Sequence, residues 1–200
     1  MRSSLLVIVG MVAVCSLVVS GCDMGAKAIH PPSVKPAAAA QAAMEEYDAD
    51  TDGKISGDEL DKCAALRSML RGLNPDGKEI TADMIQAAID GWLQAGFGRT
   101  SYICAVTHNG KPLVQATVRF LPERFLGASY PVAVGTTTAD GVATMSIPDA
   151  DPPGVAMGFY RVEITKDGES IPDKYNSQSA LGVAIVRPVQ GIGRTFTLQY

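Results

Sequence analysis

The sequence predicts an α+β fold, a helical module over residues 37–98 followed by an antiparallel β-sandwich over residues 99–200. Three observations carry this reading. Apolar residues recur at intervals of three and four between Met44 and Leu93; beyond Gly98 they recur at intervals of two; and the pairs Asn109-Gly110, Asp140-Gly141 and Asp167-Gly168 divide the alternating stretches, with no helical pattern between them. Apolar residues make up 46% of the chain, enough for a packed core and too many for a disordered segment.

The chain opens MRSSLLVIVGMVAVCSLVVSGC. One basic residue, an apolar run from Leu5 to Val19 and the small pair Ser20-Gly21 have the form of an export signal over residues 1–21, too short and too weakly flanked for a standard spanning helix. The closing VSGC resembles the lipobox of bacterial lipoproteins. That resemblance implies lipidation of Cys22 as the first mature residue, and a membrane-anchored, exported chain facing the periplasm or cell exterior. An uncleaved anchor helix and a plain secretory signal are the alternatives. Buried methylenes contribute about 0.8 kcal/mol each, so several acyl chains would hold the protein firmly to a bilayer. Residues 22–36, with three prolines and no periodicity, read as a tether in which His30 is a solvated side chain without partner ligands.

Removal of the signal takes Cys15, and lipidation occupies Cys22, leaving Cys63 and Cys104 as the mature thiols. In an oxidising compartment these two can form a disulfide, and two buried free thiols are the alternative. Spacing alone does not choose between them.

In the helical module, AAAAQAAMEEYD has high helix propensity and places Met44 and Tyr47 on one face. ELDKCAALRSMLRGL puts Leu60, Cys63, Leu66, Leu70 and Leu73 at helical spacing and predicts one amphipathic helix stopped near Gly72. Thr81 is placed to cap a third helix, whose Ile85, Ala88, Ile89, Trp92 and Leu93 form an apolar stripe, with Trp92 as a packing anchor against the first helices.

Between the first two helices lies DADTDGKISGDE, residues 48–59. Calcium takes about seven oxygens, and a twelve-residue loop wraps it with ligands at positions 1, 3, 5, 7, 9 and 12. Asp48, Asp50 and Asp52 occupy the first three of those positions, Gly53 stands where the chain turns sharply, and Lys54 offers its backbone carbonyl. Ser56 falls where a ligand acts through water, and Glu59 where a bidentate carboxylate closes the ring. Repulsion among four carboxylates in so short a loop is relieved by a divalent cation. Residues 44–70 therefore resemble the EF-hand family, and the cofactor implied is Ca2+. A second segment, NPDGKEIT, echoes the first, with Ile80 repeating Ile55. It has an extra residue at Glu79, Gly72 where a first aspartate would stand and Met84 where a closing glutamate would stand. It reads as a partner loop without a metal.

In the C-terminal half, Ala116, Val118 and Phe120 alternate with Thr117 and Arg119; Tyr160, Val162 and Ile164 alternate with Arg161 and Glu163; and Phe196, Leu198 and Tyr200 share one side of a final strand. NGKPLVQATVRFLPE, TTTADGVATMSIPDAD and GFYRVEIT resemble the carboxypeptidase regulatory-like, or transthyretin-like, β-sandwich of bacterial surface lipoproteins over residues 101–200. The resemblance implies an accessory module of about seven strands, usually without catalytic residues. One branch of transthyretin-like proteins hydrolyses 5-hydroxyisourate with histidines, an arginine and a C-terminal Tyr-Arg-Gly-Ser segment. Here the chain ends TLQY and the domain has His108 alone, beside a turn. Without a Ser/His/Asp set, a phosphate loop or zinc spacing, the expectation is a non-enzyme. Extracellular protein or glycan is an alternative partner, through Phe125 and Tyr130 in PERFLGASYPV if those rings are exposed; a structural spacer is another. The net charge of -4 and the lack of a clustered basic face in the string argue against a nucleic-acid partner.

Overall fold

The structure is a computed structural model that describes residues 29–73 and 76–200. The signal, the lipidation position Cys22 and the first part of the tether lie outside the described residues. No helix among the described residues is long and apolar enough to cross a membrane.

Helix α1 (Pro36–Tyr47) starts on a proline, whose missing N–H costs nothing at a first turn. Its buried residues are Ala39, Ala40 and Ala43, small side chains that let it pack closely on α4 (Ala82–Gln94). Thr81 caps α4 as expected, its hydroxyl accepting from the Met84 N–H at 3.4 Å. Ile85, Ile89 and Trp92 face inward from α4. The Trp92 ring reaches beyond the helices to Phe159 of the sandwich, 5.6 Å between centroids, so it anchors the two halves to each other.

The single helix expected after the loop is two: α2 (Gly57–Lys62) and α3 (Ala64–Leu73). Cys63 breaks it with φ −121° and ψ 87°. The break lets α2 follow the loop while α3 lies along the sheet, with Leu66, Met69 and Leu70 buried.

Strands β1 (Ile55–Ser56) and β2 (Glu79–Ile80) pair antiparallel with Ile55 opposite Ile80, so the two loops of the module are joined as the echo between them predicts. The sandwich contains eight strands in two sheets. One has the order β6 (Ala133–Thr136), β5 (Ala116–Pro122), β8 (Gly158–Lys166), β9 (Gly182–Ile185), all antiparallel. In the other, β3 (Tyr102–His108) pairs with β10 (Ile192–Leu198), β4 (Lys111–Pro112) and β7 (Val142–Met145).

The antiparallel expectation needs one correction, because β10 runs parallel to β3. It enters from β9 of the opposite sheet by a crossover, which removes the hairpin constraint that forces neighbours antiparallel. Asn109 and Gly110 both have positive φ, 50° and 78°, as the tight β3–β4 turn requires.

Tyr102, Phe120, Tyr160 and Phe196 interlock between the sheets. The outer face of the β8 sheet carries the helical module, so the protein is three layers deep, with one continuous core. The end of the tether also lies on the fold: Val34 packs on the core, and the Ile29 carbonyl sits where a side chain at Gly98 would stand.

Candidate metal centre

Asp48 ends α1, Glu59 lies in the first turn of α2, and the loop between them is shaped by its own carboxylates. Asp48 Oδ2 accepts the Gly53 N–H at 3.0 Å, Asp50 Oδ1 accepts the Asp52 N–H at 3.2 Å, and Asp52 Oδ1 accepts the Lys54 N–H at 2.9 Å. Gly53, at φ 84°, makes the sharp turn with no side chain to strain. Each carboxylate bonded back to the backbone is thereby aimed at the loop's interior.

The result is a cluster: Asp48, Asp50 and Asp52 each present one oxygen, all within 4.8 Å of one another. Ligands 2.3–2.6 Å from one calcium stand at most about 5 Å apart, so the spacing fits a single ion. A second observation agrees. Asp48 Oδ1 is buried and has no hydrogen-bond partner among the described residues, a costly state for a carboxylate oxygen that a cation would relieve.

Glu59 stands outside this cluster. Its Oε1 accepts from the N–H groups of Ala49 at 2.7 Å and Asp50 at 3.3 Å, and its Oε2 from Ser56 at 3.1 Å. These backbone bonds, Ser56 and Ala49 foremost, hold its carboxyl below the usual glutamate value. Glu59 thus closes the loop by tying its first residues to the start of α2. Lys54 points its ammonium away from the aspartates, to Glu79 Oε2 of the partner loop at 2.8 Å. That contact gives the inserted Glu79 a role that loop spacing alone did not show.

Sequence reasoning missed the way the loop is attached to the sandwich. Glu123, just after β5, accepts from the Tyr47 hydroxyl at 3.2 Å and the Cys63 thiol at 3.6 Å. Tyr47 directly precedes Asp48, and Cys63 directly follows α2, so one carboxylate holds both flanks of the loop. Burial raises the Glu123 carboxyl above its ordinary value, and the two hydrogen bonds offset part of the rise. Burial likewise raises the Tyr47 hydroxyl and the Cys63 thiol, so both remain donors. No local pattern pairs residues 47, 63 and 123; only the packing of the helices on the sheet does.

The same geometry bears on the two alternatives for the thiols. Cys63 and Cys104 are both buried free thiols. Cys104 shares an inward face of β3 with Tyr102, between the sheets, whereas Cys63 lies with the helices, so the β5–β8 sheet stands between them. Phe125 and Tyr130 are 6% and 5% exposed, so the condition for the partner reading through exposed rings is not met: Phe125 packs on Tyr47 and Phe159, and Tyr130 on Tyr160. His108 stacks on Tyr200 with ring centroids 3.9 Å apart, and Glu169 lies 3.5 Å from its ring nitrogen.

The chain matches no protein-family model, no curated protein and no solved structure. The reading of the site therefore rests on its own geometry.

Proposed function

We propose that this chain is an exported, lipid-anchored calcium-binding protein, in which an EF-hand-like loop holds Ca2+ and a non-catalytic, transthyretin-like β-sandwich serves as an accessory module. The observation that carries the proposal is the gathering of Asp48, Asp50 and Asp52 oxygens within 4.8 Å, at the loop positions where calcium ligands fall. Lys54 would add its carbonyl, Ser56 a bridged water and Glu59 the closing carboxylate. For Glu59 this role requires exchange of its backbone N–H partners for the cation.

When bound, the ion supplies charge neutralisation in the loop. The chain's own residues supply the rest: Tyr47 and Cys63 tie the loop's flanks to Glu123, so a rigid loop also fixes how α1 and α2 sit on the sandwich. Calcium is on this account a stabiliser of the junction between helices and sandwich.

Calorimetric titration of wild type and Glu59→Gln with calcium tests the assignment. Wild type should bind one ion per chain, and the variant at least tenfold more weakly. Equal uptake by the two proteins would refute the ligand set. Lipidation is tested separately by mass spectrometry: the membrane-extracted protein should be heavier than residues 22–200 by the acyl chains on Cys22, and an unmodified Cys22 would refute the anchor.

A further inference from the structure

A cleft of about 320 Å³ lies between α3, β9 and β10. Three arginines line it: Arg71 near the end of α3, Arg187 just after β9, and Arg194 in β10 beside a shift in strand register. None of the three has an ion-pair partner among the described residues, and no carboxylate lines the cleft. The other arginines that face an acid show the contrast: Arg67 pairs with Asp61, Arg119 and Arg161 with Glu163, and Arg124 with Glu46. Three unpaired guanidiniums concentrated in one concavity are unexpected in a chain of net charge -4. In addition, Arg194 Nε is buried and makes no hydrogen bond among the described residues. A buried charged donor without an acceptor is costly, and an anion that draws the guanidinium toward the cleft would relieve that cost.

The remaining walls are mostly apolar, from Met69, Val183, Val186 and Val189, with Ser68 and Tyr102 as the hydroxyl-bearing residues. At Val186 and Arg187 the cleft meets a second groove of about 390 Å³, whose other wall is the outer face of α4: Met84, Ala87, Ala88 and Gly91. That groove has no charged lining residue except Arg187, at the junction. Its small residues leave room along the helix that larger side chains would fill. A cationic cleft and an apolar trough thus share Val186 and Arg187 as a common wall.

We propose that these joined cavities bind a single-chain anionic amphiphile, its carboxylate or phosphate head among Arg71, Arg187 and Arg194 and its hydrocarbon tail along α4. Guanidinium groups match such heads by paired N–H donors. A concave site of these dimensions fits a molecule rather than a membrane plane. The site is separate from the metal loop and does not depend on calcium.

The test uses the mature chain, residues 22–200, carrying Cys22→Ser, which removes the apolar leader, any lipid attached at residue 22 and the need for competing detergent. Dodecanoate, dodecyl phosphate and dodecyltrimethylammonium are titrated calorimetrically below their micelle concentrations. The two anions should bind with one site per chain and the cation should not. Decanoate, shorter by two methylenes, should bind about 15-fold more weakly than dodecanoate, from about 0.8 kcal/mol per buried methylene. Arg187→Gln, an exposed substitution that leaves the melting temperature unchanged, should weaken both anions at least tenfold. Ala87→Glu should weaken dodecanoate and abolish the dependence on tail length. No binding of any probe, equal binding of the cationic probe, or insensitivity to Arg187→Gln would overturn the proposal. So would binding only to phosphatidylglycerol vesicles and not to monomeric amphiphile, which would make the patch a membrane contact, or closure of the groove by self-association in sedimentation.

Discussion

Two glycine-to-alanine changes should move stability in opposite directions, and the structure gives the reason for each. Gly182 begins β9 directly beneath α3. A Cβ there would lie 2.4 Å from the Ala65 nitrogen, 2.5 Å from the Ala64 carbonyl carbon and 2.8 Å from the Ala64 Cβ, against 3.4–4 Å for ordinary contact. The deficit to the nearest atom is 3.4 − 2.4 = 1.0 Å, and the two nearest atoms are backbone, which cannot rotate aside. Helix α3 must therefore retreat from the sheet, loosening Leu66, Met69 and Leu70. Overpacking of this kind costs about 1–3 kcal/mol. At about 2 kcal/mol, a domain of this size loses about 4–8 °C in Tm. Gly91 is the counterpart: it lies inside α4, is exposed, and has nothing within 4 Å of an added Cβ. Alanine there should gain about 0.8–1 kcal/mol of helix propensity and raise Tm by about 2–4 °C. Thermal melts of the two variants followed by circular dichroism decide the matter. A Gly182→Ala protein melting within 1 °C or so of wild type would show that α3 does not rest on β9 as described.

Trp92→Ala should cost about 3–5 kcal/mol in urea unfolding, since a side chain 1% exposed joins α4 to Phe159; a loss below 1 kcal/mol or so would contradict that junction. Glu123 holds its proton in the folded state over a pH range where the unfolded carboxyl has lost it, because its folded value is raised above the ordinary 4.5. Its contribution to stability is therefore greatest below that value and falls as pH rises through the folded value, and Glu123→Gln should remove this slope from a plot of stability against pH. An unchanged slope in the variant would place the titration elsewhere. With Cys63 and Cys104 on opposite sides of a sheet, reductant should leave Tm unchanged, and a drop on reduction would reveal a bond between them.

Much of this architecture was legible in residue periodicity, because each layer is buried on a definite face. Ile85, Ile89 and Trp92 had to face a core, and Val118 and Phe120 had to point inward from a strand. The aspartates of the loop were legible too, since each accepts an N–H two to five residues further on, a local pattern that their spacing carries. What the string did not disclose depends on long-range packing. The break at Cys63 arises because α3 is drawn onto β9 while α2 follows the loop. The parallel entry of β10 depends on which sheet edge lies free after β9. The grip of Glu123 on Tyr47 and Cys63 spans residues 76 and 60 positions apart. Phe125 and Tyr130 lie in a segment that reads as a surface loop, yet the helices and Tyr160 cover both rings.

The most direct test of the account is a calcium titration followed by amide nitrogen–proton NMR of the Cys22→Ser chain. Amides of residues 48–59, with Ile80 across the small sheet, should shift together and saturate at one equivalent of calcium, while those of β10 stay still. A titration in which the loop amides do not move, or in which shifts saturate at another site, would contradict the assignment of Asp48, Asp50 and Asp52 to a common cation.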